Sequence, residues 1–221
     1  STPILADSRG VLAIAKDTSR LSLCAASTLG TIGQTAGNIC EANGGILAIS
    51  GSAFDDPNGT GNGGTLSGLA VCSGTVLGER LGDSSKRIEL RNNNQMYIVN
   101  SNDAVDSETR DAAEFQPALI IDGKLVVDDT TFWNSPNPRC VLGQSSRLET
   151  MMVIIEGRLT DSPGCSVVDV AELMLQYGCA QALNLDGGTS AIMYYDGEYI
   201  TRCSNEKLPG GRTLPTAWVY R

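Results

Sequence analysis

The sequence predicts an α+β fold with a mixed, largely antiparallel β-sheet core and a few flanking helices. Three observations carry this. Short apolar segments recur along the chain, each bounded by Gly, Asn, Asp or Ser. The pairs Asp122-Gly123 and Asp196-Gly197 each divide two such segments, as a hairpin turn does. Only two stretches carry a helical pattern, and with 25 Gly against 5% aromatic residues the chain is rich in turn formers.

Taken in order, residues 11–15 and 21–26 read as strands joined by a turn at 16–18. Residues 35–43 read as a short helix ended by Gly44-Gly45, and 46–50 as an apolar strand. A polar, glycine-rich loop follows from Gly51 to Gly64. A long loop of this kind after a strand is functional or mobile. Its Asp and Asn residues are of the type calcium uses, without EF-hand spacing, so calcium is a possible cofactor and no other is called for. Residues 66–77 and 87–100 read as further strands, the latter turning at 91–95, and 118–121 with 124–127 as a hairpin. The loop beyond carries Phe132 and Trp133, which either stack on a sugar or plug an apolar gap; the second reading is the commoner.

Residues 140–142 and 151–155 read as paired strands, the second ending at Glu156-Gly157-Arg158. The clearest helix covers 166–177. Ser166 and Asp169 begin it in the manner of a capping box, and Gly178 sits where a terminating glycine belongs. Val167, Val170, Ala171, Met174 and Tyr177 form one apolar stripe, which is core. A strand at 182–185, a hairpin over 191–195 and 199–201, and a last strand at 214–220 complete residues 1–221 as a single domain.

Composition excludes several functions. The net charge is −9, with no basic stripe, so nucleic acid is not a partner. There is no His, which removes Ser-His-Asp and Cys-His catalysis and His-containing zinc sites. Carboxylates, Arg, Lys, Tyr, hydroxyls and thiols remain. The seven Cys lack zinc-ribbon spacing; the Asn, Gly, Ser and Thr content and the Asn58-Gly59-Thr60 sequon lean toward some disulfides in a secreted or cell-surface protein. No membrane span is visible, and the opening Ser1-Thr2-Pro3 reads as that of a processed chain.

The stretch Ala182 to Ser190 holds most of the chemical information. Asn184 and Asp186 lie two apart on a strand and so face one side. Gly187 and Gly188 admit a sharp turn and close backbone approach, and Thr189 and Ser190 add hydroxyls. This suits an anionic or polyhydroxylated ligand; the competing reading is an ordinary Asp-Gly turn. Arg139 and Arg212 each stand just before a strand, Arg158 just after one, and guanidinium forks match phosphate oxygens. For glycoside cleavage, which needs carboxyl groups, Asp186 and Glu156 are the candidates, with Asp55 and Asp56 behind them.

With these residues in view, Pro138 to Arg221 resembles the phosphodiester glycosidase domain family. Pro138-Arg139-Cys140, Glu156-Gly157-Arg158, Gly164-Cys165-Ser166, Ala182 with Asn184 to Ser190, and Arg212-Thr213-Leu214-Pro215 follow its motifs in order and spacing. Before them, Ser50-Gly51-Ser52-Ala53-Phe54 stands where the family has Asn-Gly-Gly-Phe-Phe, and Glu156 stands where it has Asp. The resemblance implies a hydrolase of sugar-1-phosphodiester bonds in a glycan or cell-surface polymer, N-acetylglucosamine-1-phosphodiesters among them. Asp186 or Glu156 would act as acid/base or nucleophile. Arg139, Arg158 and Arg212 would hold the phosphodiester, and Asn184, Ser190, Gly187, Gly188 and Ser52 would bind substrate. Two alternatives stand beside it: a non-catalytic carbohydrate-binding domain of the same fold, and a glycosidase acting on a neutral bond.

Overall fold

The computed structural model describes residues 7–221, so the opening Ser1-Thr2-Pro3 lies outside it. Three sheets form the molecule, and every strand pairing in them is antiparallel. The first runs β1 (Gly10–Ala15), β12 (Thr150–Ile155), β11 (Arg139–Ser145), β13 (Cys179–Leu185), β9 (Ala118–Ile121) and β10 (Lys124–Leu125). The second runs β15 (Glu198–Tyr199), β14 (Met193–Tyr195), β3 (Leu47–Ser50), β16 (Thr216–Tyr220) and β2 (Leu21–Ala25). The third runs β5 (Thr75–Leu77), β4 (Ala70–Cys72), β8 (Thr109–Phe115), β6 (Lys86–Arg91) and β7 (Met96–Asn100). The fold is therefore α+β and sheet-dominated. Residues 11–15 and 21–26 are strands, but of two different sheets.

All three sheets contribute to one central core. Leu21, Leu23, Ile49 and Trp218 come from the second, Ile88, Leu90 and Ala113 from the third, and Leu142, Met152, Ile154, Leu183 and Leu185 from the first. Strands β11 and β12 are buried on both faces. Val141, Met151, Val153 and Ile155 point the other way, against helix α2 (Val167–Gln176) and its Val167, Val170, Ala171 and Met174. That double burial is why Thr150–Ile155 reads as one apolar run without alternation. Ser166 and Asp169 form the full reciprocal cap of α2, and Gly178 follows it at φ +82°. The stripe ends at Met174; Tyr177 is exposed. Helix α1 (Ala36–Ala42), capped by Thr35, covers the outer face of the second sheet.

All seven cysteines are unpaired thiols, six of them buried as small core hydrophobes, which corrects the expectation of disulfides. No helix among the described residues is long and apolar enough to cross a membrane.

The third sheet hides a charged cluster. Ile88 and Leu90 of β6 face the core, so Arg87 and Glu89 face away from it, yet both are fully buried. Arg87 Nε donates to Glu89 at 2.9 Å and Nη1 to Glu114 at 3.1 Å. Glu114 also accepts from the Leu69 and Leu81 amides and the Ser101 hydroxyl. Removing one partner of such a group strands the others away from water. Arg87→Ala is expected to cost about 3–5 kcal/mol in urea unfolding, where replacing an exposed arginine costs little.

Candidate functional site

The ends of β11 and β13 make the site. Cys140 pairs with Leu185, so the chain bends past this register with Arg139 and Asp186 side by side at the mouth of one cavity. Gly187 closes the bend: a Cβ there would stand 2.5 Å from the Pro138 carbonyl oxygen, so only glycine fits. The turn Gly188–Ser190 then returns Ser190 to Asp186, and its hydroxyl donates to Asp186 Oδ2 at 2.8 Å. Gly188 takes φ +54°, with the Arg158 guanidinium 3.3 Å from where a Cβ would be.

The cavity holds about 470 Å³ and is lined by Arg139, Arg158, Arg212, Asn184, Asp186, Gly187 and Gly188 among others. A neighbouring recess of about 270 Å³ is lined by Phe54, Ser67, Leu81, Ser85 and Gln116. Asp56, Phe115, Trp133 and Asp186 belong to both. One compartment is cationic, the other uncharged apart from the two shared carboxylates.

The three arginines converge, but they are not equivalent. Arg139 is 5% exposed and gives its donors to backbone carbonyls: Nε to Cys165 at 2.8 Å, Nη2 to Trp133 at 2.8 Å and Ser135 at 2.7 Å. Burial, with Arg158 adding repulsion, lowers its pKa, and it has no ion-pair partner among the described residues. Arg158 is exposed, in the left-handed region at φ 57°, with Nε on Asn137 Oδ1 at 3.1 Å. Arg212 is neutralised in a fork-to-fork pair, Nη1 and Nη2 each 2.7 Å from an Asp56 oxygen, and lies over the Phe54 ring at 4.7 Å. Thus Asp56 of the glycine-rich loop is a latch onto the last strand's approach. Among the described residues, no cluster of three or more acidic or Cys side chains is placed for a metal ion.

Burial pushes the Asp186 carboxyl above the usual carboxylate range. The Ser190 hydrogen bond and the Arg212 charge oppose this, and the Asp56 charge adds to it. Asp56 is held below its ordinary value, chiefly by the Arg212 hydrogen bonds. Asn184, buried beside Asp186, donates to the Gln116 carbonyl at 2.9 Å and leaves its Oδ1 without a protein partner.

Two candidate residues lie elsewhere. Glu156 is absent from the lining of either compartment: its oxygens accept from the Arg202 amide and Nε at 2.9 Å each, and Arg202 Nη2 stands 2.7 Å away. Ser52 is buried against Thr216, whose hydroxyl it meets at 2.6 Å. Conversely, Trp133 walls both compartments rather than merely filling a gap. Asn137 and Phe115 also line the cavity; nothing in their sequence context marked them. Asp56 ranked behind Asp186 and Glu156 because its partner is 156 residues away.

Comparison with known proteins bears on the fold and the family. The catalytic domain of zebrafish N-acetylglucosamine-1-phosphodiester alpha-N-acetylglucosaminidase, in a form auto-inhibited by its pro-peptide, matches over 97% of this chain and 82% of its own. The TM-score is 0.76 and the identity 16%. A hypothetical protein from Synechocystis matches over 97% of this chain and 59% of its own, with TM-score 0.69 and 13% identity. At such identities both likenesses concern the fold. The SPbeta prophage-derived protein YomE of Bacillus subtilis (strain 168) is 30% identical over 110 residues, which are 48% of this chain and 17% of that protein's length. Residues 43–221 match the sequence model of the phosphodiester glycosidases, and the chain belongs to that family.

Proposed function

We propose that this protein hydrolyses a sugar-1-phosphodiester bond in a glycan or cell-surface polymer, with Asp186 as the reactive carboxylate. The observation that carries this is the place of Asp186 at the junction of a cationic and an uncharged compartment. A glycosyl phosphodiester has the same two halves. Its phosphate meets Arg139 and Arg158, the two cavity arginines without a carboxylate partner. Its sugar lies in the recess of Phe54, Ser67, Ser85 and Gln116, and its anomeric carbon over Asp186. The zebrafish enzyme of the same fold is named for cleaving an N-acetylglucosamine-1-phosphodiester, which makes that sugar the first to test.

The chemistry asks little of an acid. A phosphate monoester leaves readily once its charge is met, and the two unpaired guanidinium groups meet it. Attack at the anomeric carbon needs a base or a nucleophile, which is the part Asp186 takes, oriented by Ser190. Ionised Asp186 either draws a proton from water as that water attacks, or attacks directly and is released by water in a second step. Asn184 and the Gly187-Gly188 backbone set the depth at which substrate can sit. Since such substrates lie outside the cell or at its surface, we place the protein there.

A neutral-bond glycosidase would have no use for two unpaired arginines in its cavity. Arg158→Ala is expected to lower kcat/KM on an N-acetylglucosamine-1-phosphodiester by about 10²-fold, as loss of one charge-stabilising donor does, and to spare any turnover of the neutral p-nitrophenyl glycoside. Equal losses on both would remove the phosphate assignment.

Asp186→Asn should reduce phosphodiester turnover by about 10³-fold or more while Glu156→Gln keeps most of it. The reverse order would move the chemistry to Glu156. No turnover by wild type or by a folded Asp186→Asn protein across a panel of sugar-1-phosphodiesters would instead favour a binding domain.

Titration supplies an independent check. With Asp186 required as the anion, the acid limb of kcat/KM rises through a pKa displaced above the usual carboxylate range by burial. The same shift acts on stability. Folded Asp186 keeps its proton to higher pH than in the unfolded chain, so wild-type stability falls as pH rises between those two pKa values. Asp186→Asn removes that loss. Its melting temperature should exceed wild type above this window and converge with it below; a less stable variant at neutral pH would contradict the burial of the charge.

A further inference from the structure

We propose that Phe132 is a stacking platform for an uncharged sugar on the leaving-group side, beyond the phosphate. This inference rests on the hydrolase reading of the same cavity. Phe132 is 78% exposed, more than any other large apolar side chain among the described residues. A lone exposed apolar residue is ordinary. Phe132 is not alone: its ring lies 5.6 Å from that of Trp133, which lies 5.6 Å from that of Phe115. Phe115 and Trp133 wall the cavity, so the three rings form a continuous path from its interior to solvent.

The tip is built rather than loose. Trp133 holds φ +72°, a conformation costly for a residue with a bulky side chain. Its carbonyl and that of Ser135 are fixed by Arg139 Nη2. Arg139 lines the cationic cavity and not the recess, so the tip is anchored from the side we assign to the phosphate, the side from which the departing group leaves. An aromatic face carries partial negative charge and attracts the C–H face of a pyranose, whose hydroxyls stay in water at the rim. Asp128 and Asp129, exposed on the same loop, oppose a second phosphate there and accept hydroxyl donors. The preferred substrate is therefore a phosphodiester whose leaving half begins with a neutral sugar, ahead of one with closely repeated phosphates.

The test compares two N-acetylglucosamine-1-phosphodiesters, one a methyl ester and one carrying a neutral oligosaccharide beyond the phosphate. Phe132→Ala should lower kcat/KM on the second about 10-fold, chiefly through KM, leave the methyl diester unchanged, and be rescued by Phe132→Trp. Equal behaviour of wild type and Phe132→Ala on the long substrate overturns the platform, as does an equal loss on both. If neither diester turns over, it is the hydrolase reading that fails. The platform is then decided by fluorescence titration with the free oligosaccharide. Of the two tryptophans, Trp218 is fully buried, so a saturable change reports Trp133. A change in wild type that Phe132→Ala weakens supports the platform; no change in wild type rejects it.

Discussion

The site depends on Arg139, a buried guanidinium with no ion-pair partner among the described residues. Arg139 stands at the start of β11, and its bonds reach the residue before the cap of α2 and two carbonyls of the 126–138 loop. It joins strand, helix start and loop in one place. Carbonyl dipoles satisfy Nε and Nη2 without forming an ion pair, and holding such a charge away from water is expensive. A protein that wanted only a structural tie there would do better with an apolar contact or a paired ion. The cost makes sense when an anionic ligand completes the charge balance.

The scaffold around Arg139 explains how it is kept in place. β11 and β12 are covered by the central core on one face and by α2 on the other. Interiors of this kind are close-packed and move little. The polar ends of β11 and β13 emerge from that rigid block at the same edge, so strand register sets the backbone of Arg139 and brings Asp186, the residue after β13, beside it. The loops contribute the parts that vary more freely: Asp56, Trp133 and Phe132.

Much of this was legible in the sequence, and the rest was not for reasons that can be named. The Ser166–Asp169 cap and the run Asn184 to Ser190 are local features, readable because their partners lie within a few residues. β8 escaped notice because Arg110, Asp111 and Glu114 interrupt its apolar residues. Those charges face an internal polar network and not solvent, so the usual alternation is missing. Glu156 follows a strand as a catalytic carboxylate would; only Arg202, 46 residues on, reveals that it is spoken for. The Ser52–Thr216 and Asp56–Arg212 pairs span 164 and 156 residues. Short motifs can nominate a polar residue, but the identity of a distant partner decides whether it remains available.

The Asp56–Arg212 pair shows how that availability is tuned. Three free arginines around one carboxylate would draw its pKa down and bind it as their counter-ion. Asp56 forks onto Arg212, whose charge still lowers the Asp186 pKa, and adds its own negative charge in opposition. Burial then wins, and Asp186 is left with one hydroxyl donor and a raised pKa instead of a tight ion pair. Arg139 and Arg158 remain without a carboxylate partner among the described residues. The glycine-rich loop thus acts on Asp186 electrostatically: the Asp56 charge opposes that of Arg212.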